Sequence, residues 1–270
     1  MRLAFLAASA AAVVFLPGAS RAAITADRVV HYASGPAFPV FGGADSYTHA
    51  DPAALGLPTG DTGFGALTPF NPPFDPQQIV VVQSGGDLTL HLGAPVAVHP
   101  GPQLGVFTNV GVSGSADGVA DFPATPFGDF PQAMVSVSSD GVTYVPLSNN
   151  PITFDIPSNV YTDTSISNFQ APLGTHLADF TKPFTGAFDD FGGKSYAEIL
   201  TLLNGSAGGT WLDLSPAGLA TVQYVKFAVP DGAPYKLALD AVTAVPEPTA
   251  ASLLILAGSA LVSRRRRGER

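Results

Sequence analysis

The chain has no cysteine in 270 residues. Thiolate zinc sites, thiol catalysis and disulfide staples are therefore excluded, and any fold must rest on its hydrophobic core alone. Basic residues are nearly as scarce away from the two ends. Between residues 23 and 244 only Arg28, Lys182, Lys194, Lys226 and Lys236 face nineteen acids, eighteen of them aspartate, a balance of −14. The whole-chain balance of −9 conceals this because the remaining arginines sit at the termini. Nucleic acid is not expected as a partner, since neutralising phosphates takes clustered Lys and Arg. Catalytic signatures are missing too: no G-x-S-x-G, H-E-x-x-H, P-loop or G-x-G-x-x-G occurs.

Turn formers are abundant instead. Glycine (29) and proline (25) make up a fifth of the chain, which suits many short strands joined by turns and stays below the level of low-complexity sequence. Residues 31 to 78 are loop-rich. Next come a β-branched run, Ile79 to Gln83, the turn Ser84-Gly85-Gly86, and Asp87 to Leu92, which puts Leu88, Leu90 and Leu92 on one face and Thr89 and His91 on the other. This pattern predicts a hairpin with one buried face. Met134 to Ser138 and Val142 to Leu147 predict a second hairpin across Ser139-Asp140-Gly141. Further strands are predicted at Val96 to Val98, Leu104 to Val110, Ile152 to Ile156, Thr221 to Val229 and Lys236 to Val242. One helix is predicted: Ser195-Tyr196-Ala197-Glu198 is a capping box, Tyr196, Ile199, Leu200 and Leu203 share a face, and Asn204-Gly205 ends it. A single helix among about nine strands points to an all-β, antiparallel β-sandwich of jelly-roll-like form rather than a parallel α/β sheet.

Candidate chemistry is thin. Asp61-Thr62-Gly63 matches the aspartic-protease triplet, but it follows Leu57-Pro58-Thr59-Gly60 rather than a hydrophobic strand, and the second copy, Asp163-Thr164-Ser165, lacks the glycine. His31, His49, His91, His99 and His176 show no metal-ligand spacing. Calcium is the metal that turn-borne aspartates suit, with Asp117, Asp121, Asp189 and Asp190 as candidate ligands. The same residues also serve as turn formers and solubilising charge. Trp211, after Gly208-Gly209-Thr210, is the candidate aromatic for stacking on a sugar ring or for burial.

The two ends carry a different message. Arg2, the apolar run Leu3 to Leu16, Pro17-Gly18 and the small residues of Ser20-Arg21-Ala22 form a secretory signal peptide, residues 1–22, cut after Ala22. At the other end, Val245-Pro246-Glu247-Pro248 is forced out of helical geometry by its prolines. Thr249 to Ser263 then runs fifteen residues without a charge, and Arg264, Arg265, Arg266 and Arg267 follow at once. As a helix that run spans about 22 Å. Snorkelling arginines and local thinning make up the deficit against a hydrocarbon core of roughly 30 Å, with the arginines on the cytoplasmic side. The segments 23–244 and 245–270 are thus an extracytoplasmic body and a membrane-directed tail.

The tail resembles the sorting signal of the bacterial PEP-CTERM proteins: a P-E-P motif (Pro246-Glu247-Pro248), a hydrophobic helix (249–263) and an arginine cluster (264–267), in that order at the extreme end. The resemblance implies a Gram-negative, exopolysaccharide-producing host, passage through signal peptidase, a transient inner-membrane anchor, and recognition by the transpeptidase-like enzyme exosortase. Cutting near the motif would pass the protein to the cell surface or the extracellular space. A second stretch, Val135 to Tyr144 followed by Leu147, is similar to the V-x-V-S-x-D-G hairpin of extracellular jelly rolls, galactose-binding-like modules among them. Gly86-Asp87-Leu88-Thr89-Leu90 and Leu239-Asp240-Ala241-Val242 also resemble segments of PEP-CTERM surface proteins. These likenesses lead to an expected non-enzymatic surface or matrix protein, structural or adhesive in role and without a required cofactor. The competing expectations are a module that binds surface glycan or exopolysaccharide through Trp211, and a secreted hydrolase, for which no acidic pair stands out.

Overall fold

The computed structural model describes residues 22–36, 54–75, 77–128, 130–168 and 170–246. The expected signal helix, apart from Ala22, lies outside the described residues, as do Glu247, Pro248, the 249–263 segment and Arg264 to Arg267. Among the described residues no helix is long and apolar enough to cross a membrane.

The strands in chain order are β1 (Ile24–Ala33), β2 (Val80–Val82), β3 (Asp87–Ala97), β4 (Pro102–Thr108), β5 (Gln132–Ser138), β6 (Val145–Pro146), β7 (Ile152–Thr153), β8 (Thr210–Asp213), β9 (Thr221–Ala228) and β10 (Leu237–Ala244). The helix α1 (Tyr196–Leu203) lies between β7 and β8. Among the described residues the body is therefore mostly β with one short α-helix. All strand pairing is antiparallel, in the order β6-β5-β9-β3-β1-β10-β4-β8, with β2 also on β10 and β7 also on β5.

The sheet curls into a half-barrel, and β1 is where it turns. Ile24 and Thr25 pair with Ala244 and Thr243 of β10, whereas Ala26 to Ala33 pair with β3, with irregularities at Ala26/Arg28 and Val29/His31. Bulges bend a strand and raise its twist, so β1 can belong to both halves. The curl brings Leu88, Leu90 and Leu92 of β3, Val135 and Val137 of β5, and Val225 and Phe227 of β9 into one core with residues of the other half. Those partners include Leu104 and Val106 of β4 and Leu237, Leu239 and Val242 of β10. Each such side chain, fully buried, is worth about 1.5–3 kcal/mol of transfer free energy. This core does the work that disulfides would otherwise share.

Three sequence expectations change here. The strands before and after Ser84-Gly85-Gly86 do not form a hairpin: β2 pairs with β10, while β3 pairs with β1 and β9. The turn is real, with Gly86 N–H donating to Gln83 O at 2.8 Å, but it hands the chain from one half of the sheet to the other. The β5/β6 hairpin does form, across a longer loop than a two-residue Asp-Gly turn. Asp140 Oδ1 accepts from Val142 N, Thr143 N and Ser138 Oγ, which holds its carboxyl below the usual range, and only Gly141 takes a positive φ, +75°. Val96 to Val98, expected as a separate strand, does not stand alone: Val96 and Ala97 are the end of β3, and Val98 follows it.

Outside the sheet, the connections 109–131 and 154–209 fold back as a second layer. Leu67, Phe107, Val160, Phe180 and Ala241 form one small core there. Val112, Ile156, Phe188, Phe191, Ile199 and Leu203 form another, centred on α1. The helix is capped as its sequence dictates: Ser195 Oγ accepts from Glu198 N, Glu198 Oε2 accepts from Ser195 N at 2.8 Å, and Asn204 closes the end in the left-handed conformation at φ 49°.

Candidate functional site

Three places bear on function: the paired ends of the body, the positions of the sequence candidates, and a cleft in the second layer. At the first, β10 is buried along its whole length, and the chain then leaves the sheet at Val245, whose N–H donates to Gln103 O at 2.9 Å. Val245 and Pro246 are half-buried, so the V-P-E-P tetrapeptide starts on the sheet itself with no intervening linker. Its neighbour is the other end of the body: Ile24, two residues after the expected cleavage point, is the cross-strand partner of Ala244.

Trp211 lies in β8, half-buried. Its Nε1–H donates to Gly208 O at 2.9 Å, its ring covers Gly105 of β4, and it meets Phe107 edge-on at 6.5 Å. A Cβ at position 105 would come within 2.9 Å of the ring, so the absence of a side chain there is what lets the indole lie against the strand. The polar tip and one face are committed to the fold.

The aspartates do not converge. Asp117 is exposed in the turn from Ser115 to Val119, and Asp189 and Asp190 are exposed in a 3-10 turn, where Asp190 Oδ2 accepts from Ala187 N at 2.8 Å. Asp121 is exposed and accepts from Thr125 Oγ1 at 3.3 Å. Among the described residues no three His, Asp or Glu side chains come together as metal ligands. The two halves of the protease-like motif serve separate loops: Asp61 Oδ1 accepts from Gly63 N, while the Asp163 carboxylate is held by Thr175 and His176. Those donors hold the Asp163 carboxyl well below the usual carboxylate range.

Sequence reasoning missed three features. Asp240, on β10, is buried at 1 % exposure, and among the described residues its hydrogen-bond donors are Thr59 N and Thr59 Oγ1, the latter at 2.8 Å. Burial pushes its carboxyl up to about 7. The available signal was a single acid in a strand otherwise lacking charge. His91, expected to face solvent, is largely covered: Asp27 Oδ1 lies 2.6 Å from its Nδ1, and the Tyr224 ring stands edge-on at 5.0 Å. The third feature is a cleft of about 230 Å³ lined by Phe70, Val112, Ser113, Gly114, Asp121 and Phe127. No motif marks it, because its walls come from segments about forty residues apart.

No protein-family model matches the chain, and no curated protein matches it.

Proposed function

We propose that the chain is an exported bacterial surface or extracellular-matrix protein with a structural or adhesive, non-catalytic role. On this reading it is led out by residues 1–22, held briefly in the inner membrane by 249–263 and Arg264 to Arg267, and released by an exosortase-type enzyme near Pro246-Glu247-Pro248. The observation that supports it most is the pairing of Ile24 with Ala244. A body whose first and last strands meet at one margin can fold while both ends are still tethered to the same membrane surface. The bond from Val245 N–H to Gln103 O, at the start of the tetrapeptide, supports the same reading. The jelly-roll-like sandwich belongs to the same reading, supported by the two halves of the sheet sharing one core across the curl.

The test is fractionation of cells expressing the full chain and a variant with Pro246, Glu247 and Pro248 all replaced by Ala. The variant should be exported but retained in the inner membrane. Surface display equal to that of the parent would remove the sorting reading.

A further inference from the structure

We propose that the cleft between Phe70 and Phe127 binds a neutral glycan, one sugar ring at a time, at the end of the body remote from its two termini. Its walls are held by backbone pairing rather than by loose loops. Val112 N–H donates to Pro69 O at 2.8 Å, Phe127 N–H to Gly111 O at 2.8 Å, Ser113 N–H to Thr125 O at 2.8 Å and Asp121 N–H to Ser113 O at 3.0 Å. One aromatic side chain of its wall is left in water: Phe127 is 67 % exposed. Beside Phe70 it offers a large apolar ring face for contact within the cleft.

The polar groups of the cleft select the ligand. Ser113 Oγ donates its proton to Pro126 O, so toward the cleft it can only accept. Asp121 Oδ2 takes one bond from Thr125 Oγ1, and Oδ1 takes none from the described residues. The lining has ring faces and hydrogen-bond acceptors, and no basic residue. A pyranose fits this set: its C–H face lies on a ring, and its vicinal hydroxyls donate to a carboxylate. A proline-rich peptide fits poorly, because it offers carbonyl acceptors and almost no donors. An anionic polymer is repelled by Asp121 and by a body balance of −14. The volume lies below the roughly 300–1,000 Å³ of drug-sized pockets, which suits a single sugar unit of a longer chain.

Position completes the case. The segment carrying the cleft leaves β4 after Thr108, which pairs near Leu239, whereas the termini sit where Leu104 pairs with Ala244. About 17 Å of strand separates the two at 3.3–3.4 Å per residue. A body tethered by Ala244 would turn the cleft outward. Binding itself does not require export; only the choice of an extracellular polysaccharide as its natural source rests on the reading above.

The experiment is affinity electrophoresis of the purified full chain in detergent-containing native gels cast with dextran, laminarin, galactomannan or, as the anionic comparison, alginate. At least one neutral polysaccharide should retard the chain, Phe127→Ala and Asp121→Ala should each weaken that retardation tenfold or more, and Val142→Ala, on an exposed hairpin loop, should leave it unchanged. Circular dichroism of each variant separates loss of binding from loss of fold. Retardation by none of the neutral polymers, by alginate alone, or undiminished in both cleft variants overturns the proposal. So does a photo-crosslinker at position 127 that captures a polypeptide while every neutral gel is silent. A variant that binds glycan but is not displayed would count against sorting alone.

Discussion

Thr59 hydrogen-bonds the buried carboxyl of Asp240 through both its N–H and its hydroxyl. It ties the 54–72 segment to the middle of β10. Loss of water around Asp240 outweighs those two donors, which is why its carboxyl titrates at about 7 rather than near 3.8.

A pH dependence follows from that shift. An acid whose folded pKa lies above its unfolded one binds its proton more tightly in the native state. Its contribution is therefore intact below about pH 4, declines as the pH rises through the window to 7, and is flat above it. At 1.36 kcal/mol per unit the full span is on the order of 4 kcal/mol. Asp240→Asn, which cannot ionise, should gain stability relative to the parent steadily across that window in urea titrations. Asp163 and Glu198, whose carboxyls are lowered, act in the opposite sense at lower pH and cancel in the comparison. A parent-to-variant difference that stays constant from pH 4 to 8 would show that Asp240 is not buried as described.

Gly105→Ala should disturb the chain's only tryptophan. The new methyl would sit 2.9–3.1 Å from three ring atoms of Trp211, forcing the indole off β4 and breaking its bond to Gly208. The expected cost is about 1–3 kcal/mol, as for overpacking elsewhere. The emission should shift to the red, and because there is one tryptophan the spectrum reports this site alone. An unshifted spectrum with unchanged stability would place the ring elsewhere.

Ser195→Ala removes the hydroxyl that accepts from Glu198 N at the start of α1. A loss of about 1 kcal/mol is expected, typical of an N-cap. Ser195→Asp should retain most of the stability, because a carboxylate can cap the same N–H. Equal losses in the two variants would mean that the cap contributes nothing specific.

How far the fold could be read from the chain depended on whether the signal was local. The helix was legible to the residue, since Ser195, Glu198 and Asn204 act on their immediate neighbours. The alternation at Leu88, Leu90 and Leu92 identified an inward face for the same reason. Two strands escaped. β1 carries Asp27 and Arg28 at an irregularity that breaks the alternation, and β8 has four residues after a glycine pair. Pairing partners were not legible, because the Ser84-Gly85-Gly86 turn looks like a hairpin turn whatever the flanking strands do next. The same limit applies to Trp211, whose setting depends on Gly105 over a hundred positions earlier, and to the cleft, whose phenylalanines gain meaning only when Pro69 is bonded to Val112. The proposed sorting motif is the opposite case: its order of residues is its content, and only Val245 and Pro246 of it lie within the described structure.

On the proposed function the chain is exported and then cut near the margin where Ile24 meets Ala244. Mass spectrometry of the protein recovered from the surface or medium of its host measures this most directly. The expected product has its amino terminus at Ala23 and its carboxyl terminus close to Pro246-Glu247-Pro248, with residues 249–270 gone. Recovery of the intact 270-residue chain from the cytosol, with Met1 and Arg270 both present, would contradict it.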